Sequence, residues 1–252
     1  KIMKILALDS SGLVASVAVV ENDTLLAEYT VNYKKTHSQT LLPMLDEISN
    51  MTELDLSTID AIAVAGGPGS FTGLRIGSAT AKGLGLALEK PLISIPTTAA
   101  IAYNIWDTDK FVCPIMDARR NQVYTGVYCY TDHRLDTVWE QDTMSIEALA
   151  EGLNCLDHEV IFLGDGVAVY REKLEALLTI PFSFAPAHVN RQRAAAVGAL
   201  AEVYYKEGKI QTAEEHEPEY LRKSQAERER AERESVKHAE VVKKQENKEK
   251  SE

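Results

Sequence analysis

The sequence predicts an α/β protein made of two similar lobes, and three observations carry that expectation. Short apolar runs alternate with amphipathic stretches in the order βββαβαβα, and the same order recurs from residue 111. The chain has 252 residues, which at roughly 150 residues per domain is one large domain or two small lobes. Hydrophobic residues make up 45% of it, enough to bury a core. The two halves share no sequence identity, so the repeat rests on element order.

Residues 4–9 form an apolar run ending on Asp9, residues 14–20 a second strand, and residues 24–31 a third after the turn signal Asn22-Asp23. Thr36-His37-Ser38-Gln39 has the spacing of a capping box. Leu41, Leu42, Leu45 and Ile48 follow at helical spacing, with Pro43 placed to kink that helix. Residues 60–65 read as a buried strand, 66–70 as a loop, 72–88 as a helix, 91–95 as a strand and 97–106 as a helix. In the second half, strands are expected over 111–116, 122–130, 134–140, 159–163 and 181–184, and helices over 145–153, 167–178 and 190–207. The expected division is a first lobe at 3–96, a second lobe with a closing helix at 97–210, and an extension at 211–252. Beyond Ala226 that extension is rich in Glu, Lys and Arg, the composition of a charged helix or a disordered tail.

Composition excludes several functions. A net charge of -11 makes unaided nucleic-acid binding a poor fit, because phosphate contacts need clustered Lys and Arg. No apolar run reaches the ~18 to 20 residues that span a bilayer. The chain reaches Asp9 without the long apolar region of a secretory signal, so a cytoplasmic location without membrane partners is expected. Cys113, Cys129 and Cys155 are widely spaced and form no CxxC pair, which suggests reduced thiols and neither a zinc ribbon nor a disulfide framework.

Two stretches in the first half have the residue types of a phosphate site. Asp9-Ser10-Ser11 closes the first strand and opens a hairpin, where backbone N–H groups and hydroxyls face a phosphate and the carboxylate holds Mg²⁺; the same pair also forms ordinary turns. Gly66-Gly67-Pro68-Gly69-Ser70 joins a strand to a helix whose free N–H groups suit an anion, although the Gly-Lys-Ser/Thr ending of a P-loop is absent and a simple tight turn is the alternative. In the following helix Gly73, Gly77 and Ala81 recur every fourth residue. Four glycines in one helix cost about 1 kcal/mol each relative to Ala, which makes sense where another backbone packs closely. Another subunit or a helix of the same chain would satisfy that need. The subunit reading nominates His37, Leu41, Leu45, Gly73, Leu74, Gly77, Ser78, Ala81 and Lys82 as contacts, with His37 a cap or interface group. Asp117-Ala118-Arg119-Arg120 and Gly164-Asp165-Gly166 are the second-lobe counterparts of the Asp turn and the Gly loop, and two arginines are bulky for a phosphate turn. The six histidines include no HxxxH pair, HExxH is absent, and so is a G-x-S-x-G elbow. No residue is nominated as catalytic or as part of a metal site.

Five stretches occur together in order: the opening Ile5-Leu6-Ala7-Leu8-Asp9-Ser10-Ser11, His37 to Pro43, Gly66 to Gly77, Asp117 to Arg120, and Glu219-Tyr220-Leu221-Arg222. With them the chain, from residue 3 to about 223, resembles the TsaB (YeaZ) family, the dimerisation subunits of the bacterial tRNA threonylcarbamoyladenosine synthase. The resemblance implies an actin-like, Hsp70-like (ASKHA) fold with two RNase H-like lobes. It implies a non-catalytic subunit that docks a TsaD-like catalytic paralogue and works with a TsaE-like ATPase, or pairs with itself through the same first-lobe helices. It further implies that this chain binds no cofactor, that ATP and a divalent metal sit on the partners, and that tRNA is met through the complex. An ATP-binding kinase or transferase of the actin/hexokinase type, and a glycoprotease-like metallopeptidase, are the alternatives.

Overall fold

The computed structural model describes residues 2–32 and 40–221. The first series of elements is β1 (Lys4–Asp9), β2 (Ala15–Glu21), β3 (Thr24–Val31), α1 (Leu41–Thr52), a 3₁₀ turn (Leu56–Thr58), β4 (Ala61–Gly67), α2 (Phe71–Leu88), β5 (Leu92–Pro96) and α3 (Thr97–Ala102). The second is β6 (Phe111–Arg119), β7 (Gln122–Thr131), β8 (Arg134–Ser145), α4 (Ile146–Leu156), β9 (Val160–Leu163), α5 (Val167–Leu177), β10 (Phe182–Phe184) and α6 (Ala194–Lys206). Each series builds one five-stranded sheet, β3-β2-β1-β4-β5 and β8-β7-β6-β9-β10. In both, the first three strands are an antiparallel meander and the last two join in parallel. Parallel neighbours need a crossover, and the intervening helices supply it. The order expected from the sequence is therefore present twice, as the RNase H-like unit repeated on the actin-like plan.

Side-chain alternation decides which helix covers which face. On β1 and β4, Leu6, Leu8, Ile62 and Val64 share one core with Leu41, Met44, Leu45 and Ile48 of α1 and Ala81 of α2. Ile5, Ala7, Ala61, Ala63 and Ala65 point to the opposite face and share a core with α3, with Ala194, Val197, Leu200 and Ala201 of α6, and with Val112, Met116 and Leu163 of the second sheet. Alanines on that face let α6 approach: an ideal Cβ at Gly198 would lie 2.7 Å from Val20 Cγ2. The outer face of the second sheet is buried under α4 and α5 through Leu149, Leu153, Phe162, Tyr170 and Leu174.

The closing helix α6 thus packs on β1 and β2 of the first sheet although it comes last among the described elements. Two side chains from that sheet satisfy its N-terminus. Ser16 Oγ accepts the Ala194 N–H at 2.9 Å, and Glu28 Oε1 accepts the Ala195 N–H at 3.1 Å while pairing with the Arg193 guanidinium. Past α6, Gln211 pairs with Leu92 at the β5 edge, and the Glu219 N–H reaches Gly66 O at 2.7 Å. Residues 1–219 form one compact unit that contains both sheets.

Several boundaries differ from the sequence expectation. Pro43 does not kink α1, because it occupies the first helical turn, where no intrahelical N–H donor is required. α3 ends at Ala102, where the Asn104 and Ile105 N–H groups turn back onto Ile101 O and Ala102 O. β8 runs on to Ser145 by absorbing irregularities against β7 around Val127. α6 starts at Ala194. The capping-box stretch around His37 and most of the charged extension lie outside the described residues.

Candidate functional site

The two phosphate-type turns of the first lobe face each other and bind each other. Asp9, Ser10 and Ser11 are buried. The Ser11 N–H and Oγ–H both donate to Asp9 Oδ1, at 2.9 and 2.7 Å. Across the gap the Ser70 N–H donates to Ser11 O at 2.6 Å, and Ser10 Oγ donates to Gly73 O at 2.9 Å. The Gly67 N–H is taken by Thr97 Oγ1 at 3.1 Å, and the Gly73 N–H by the cap residue Ser70 Oγ at 3.3 Å. Gly67 has φ +125, and Glu219 O lies 2.2 Å from where its Cβ would be, so only glycine fits this turn; it is followed by a cis bond to Pro68. Four N–H groups of the kind that cradle phosphates, those of Ser11, Gly67, Ser70 and Gly73, are therefore spent inside the chain.

A side-chain network that sequence reasoning missed supports the Gly turn. Gln141 on β8 donates from Nε2 to Glu219 Oε2 (2.6 Å) and to Gly67 O (3.3 Å), and its Oε1 accepts from Thr98 Oγ1 at 2.7 Å. Thr98 also meets the Tyr128 hydroxyl at 2.7 Å. The partners are 30 to 78 residues apart in sequence, and no local pattern announces them.

In the second lobe, Arg119, Arg120 and Asn121 all have positive φ and close the β6–β7 hairpin. The two arginines are exposed, and among the described residues neither forms an ion pair. Asp117 Oδ1 instead accepts the Arg119 N–H at 2.8 Å and the Tyr170 hydroxyl at 3.1 Å. Burial, and then the Asp117 charge, push Tyr170 up to about 12. Beside it, Lys173 joins Asn121 and Glu147, which holds the Glu147 carboxyl below its ordinary range together with backbone hydrogen bonding, the larger cause. Gly164 and Gly166 pack against Ile115 O, and burial raises the Asp165 carboxyl against the opposing pull of Arg191. This turn is a polar buttress for α5.

The glycine stripe of α2 requires a correction. Gly73, Leu74, Gly77, Ser78 and Ala81 are buried, as are Leu41 and Leu45 on α1, all against the chain's own sheet and hairpin. A Cβ on Gly73 would lie 2.1 Å from Ser10 O, and one on Gly77 would lie 2.5 Å from Ser10 Oγ. The close backbone neighbour inferred from these glycines exists, and it is the β1–β2 turn, not a second subunit. Lys82 is half-buried and donates to His216 O at 2.9 Å. What α2 presents outward is Thr72, Arg75, Ala79, Gly83, Leu86 and Ala87, with Ile76 partly covered. Gly83 has open space where a side chain would go, and Leu86 is 58% exposed. Leu42 and Met51 are the large apolar residues that α1 adds to the surface, and a groove of ≈ 310 Å³ runs between Met51, Ile48 and the β3 residues Ala27 and Tyr29.

Among the described residues no three His, Cys, Asp or Glu side chains converge on a point that could hold a metal ion. Burial raises the Cys113 thiol to about 12, against the opposing effect of its hydrogen bond with Thr125. No helix among the described residues is long and apolar enough to cross a membrane.

Two sheets of one order, joined through α3 and α6 and carrying paired Asp turns, define a two-lobed α/β protein of the actin-like type. A family model described as tRNA N6-adenosine threonylcarbamoyltransferase (TsaD) matches residues 24–230. The tRNA threonylcarbamoyladenosine biosynthesis protein TsaB of Bacillus subtilis is 32% identical over 225 residues, covering 89% of this chain and 96% of the relative. Its Escherichia coli namesake is 30% identical over 232 residues, covering 89% and 96%. The solved structure of YeaZ from Pseudomonas aeruginosa superposes with a TM-score of 0.76 at 28% identity, over 87% of this chain and 100% of that one. The chain belongs to the TsaB family.

Proposed function

We propose that this chain is the non-catalytic partner subunit of a tRNA threonylcarbamoyladenosine-forming complex. It docks a TsaD-like paralogue that carries the catalytic metal and works with a TsaE-like subunit that binds ATP, and it meets tRNA through them. The observation that carries the reading is the internal use of the Ser11, Gly67, Ser70 and Gly73 N–H groups. A phosphate bound there would have to displace each of those hydrogen bonds, at about 1 kcal/mol apiece. The kinase-like alternative needs the same groups free.

The docking face in this reading is the outward side of α1 and α2. Its small and apolar residues Ala79, Gly83, Leu86 and Leu42 let another helix pair come close, and a second copy of this chain can use the same face. Together with the names of its relatives, that face supports an adaptor that positions a catalyst.

Reconstitution tests the proposal. Purified paralogue and ATPase subunits, with tRNA, ATP and preformed threonylcarbamoyl adenylate as the group donor, are assayed with and without this chain. Activity is expected only when the chain is present, and titration calorimetry of the isolated chain with Mg-ATP is expected to give no heat of binding. Turnover by the chain alone, or full activity without it, overturns the assignment.

A further inference from the structure

After α6, residues 209–219 run as a strap along β5, the edge strand of the first sheet, with no helix or strand of their own. Gln211 exchanges two backbone hydrogen bonds with Leu92, at 2.8 and 2.9 Å. Ala213 is buried in the core that holds Leu92 and Ala81. The Lys82 ammonium on α2 donates to His216 O at 2.9 Å and to Glu214 O at 3.4 Å. At the far end the Glu219 N–H reaches Gly66 O, and Gln141 Nε2 holds the Glu219 carboxylate at 2.6 Å. The strap thus closes the β5 edge and lies across the Gly turn.

Its middle carries a buried titratable group. His216 is 1% exposed. Its Nδ1 meets Gln211 Nε2 at 2.7 Å, and its Nε2 is buried without a hydrogen-bond partner. A neutral ring accepts the Gln211 N–H at Nδ1. A protonated ring carries N–H groups on both nitrogens. Its Nδ1–H would face a donor, its Nε2–H would find no acceptor, and its charge would sit near the Lys82 ammonium. No carboxylate offsets this. β5, over Leu92–Pro96, has no titratable side chain. Glu214, Glu215, Glu217 and Glu219 on the strap are exposed, and Glu215 and Glu219 are taken by the Thr212 N–H and by Gln141. Burial, and then Lys82, accordingly hold the ring below the ordinary histidine value.

We propose that residues 209–219 are an acid-released strap: protonation of His216 expels its ring and detaches the segment from β5 and the Gly turn, while both sheets stay folded. A segment joined to the body by a few backbone hydrogen bonds at a sheet edge opens at less cost than the core. Once outside, the ring finds water for both nitrogens and regains its ordinary proton affinity. Above about pH 6.5 the ring is neutral in the open and the closed form, so opening does not depend on pH. Below it the open form takes up a proton that the closed form refuses, and opening grows by up to about tenfold per pH unit until the closed form also binds one. Release uncovers the Leu92 backbone as an unpaired strand edge and removes Glu219 from the Gly66–Gly67 turn. The device rests on the packing of this chain and does not depend on the α1/α2 docking face.

Hydrogen exchange of the full chain between pH 7.5 and 5, divided by the intrinsic rate at each pH, tests the proposal. Protection of residues 209–219 and of the Leu92 amide is expected to be constant above about pH 6.5 and to fall by up to about tenfold per unit below it, while β1 and β4 keep theirs. The fall is expected to follow the fraction of protonated His216 read from the NMR titration of its ring. His216→Asn is expected to abolish the pH slope. Glu219→Ala, which loosens an anchor without touching the ring, is expected to lower strap protection at every pH and to keep the slope. If the Asn variant opens the strap at every pH, the parent chain decides: ring titration that coincides with the loss of protection supports the proposal, and a mismatch overturns it. Strap protection that does not vary with pH, a slope retained in His216→Asn, or loss of β1 and β4 protection together with the strap also overturns it.

Discussion

Two glycine-to-alanine changes ten residues apart on α2 are expected to move stability in opposite directions. At Gly83 nothing lies within 4 Å of an added Cβ. Alanine there gains the full helix-propensity difference, about 1 kcal/mol, and at the size of this chain it raises Tm by about 2–4 °C. At Gly73 the added methyl would lie 2.1 Å from Ser10 O, a backbone atom whose turn is held by Ser10 Oγ on Gly73 O. The turn must move by more than an ångström, an overpacking cost toward the upper end of about 1–3 kcal/mol. Gly73 is the third residue of the helix, where the propensity gain is smaller than in the interior. The net expectation is a loss of about 2 kcal/mol. Urea unfolding followed by circular dichroism measures both, with the slope m compared so that a changed denatured state is not mistaken for a stability change. If Gly73→Ala proves neutral or stabilising, the stripe does not pack on the β1–β2 turn, and the reading that these glycines serve an intermolecular contact returns.

On the outer face, Leu86→Glu and Gly83→Glu are expected to leave the midpoint of unfolding within about 0.5 kcal/mol of the parent, while sedimentation shows lost self-association and lost binding of the paralogue; persistence of both interactions removes α2 from the docking face. Glu28→Ala strips the α6 N-terminus of an acceptor and leaves Arg193 without its partner, so a loss of about 2 kcal/mol in urea unfolding is expected; a change below about 0.5 kcal/mol would mean that α6 needs no tether to β3. Burial, and then Lys82, hold His216 below the ordinary histidine value. The unfolded chain therefore binds more protons than the folded one as pH falls from about 6.5 toward the folded pKa. Stability from this group is complete above about 6.5 and is lost on acidification, with a slope of at most about 1.4 kcal/mol per pH unit. His216→Asn is expected to flatten that part of the unfolding profile between pH 7.5 and 5, and an unchanged profile would show that His216 does not titrate with folding.

The element order was legible because burial on both faces writes itself into β4 as Ala61-Ile62-Ala63-Val64-Ala65, small toward α6 and large toward α2. The two lobes followed from reading that pattern twice. Sidedness was not legible. Gly73 and Gly77 say that a backbone comes close, but a stripe of small residues carries no mark of whose backbone it is, and here Ser10, more than sixty residues upstream, supplies it. The packing of α6 on the first sheet was equally hidden, because Ser16 and Glu28 look like ordinary strand residues until Ala194 and Ala195 are placed against them. At the site, Asp9, Ser10, Ser11 and the Gly turn were found by residue type. They do not form an open cradle because Asp9, Ser11 and Ser70 of the turns themselves, and Thr97 from α3, take the four N–H groups, a set of pairings that only the tertiary structure makes visible.

The late placement of α6 has a consequence for how the polypeptide is made. When β5 has been synthesised, only the short α3 follows at once on the alanine-lined side of the first sheet, and the longer covering helix α6 begins about a hundred residues later. At translation rates of about 5–20 residues per second that interval lasts roughly 5–20 s, during which Ile5, Ile93 and Ile95 are open to any passing apolar surface. Production of this protein should therefore respond to the supply of chaperones that shield nascent chains. Release of a fragment ending before α6 should yield aggregate, with no independently folded first lobe.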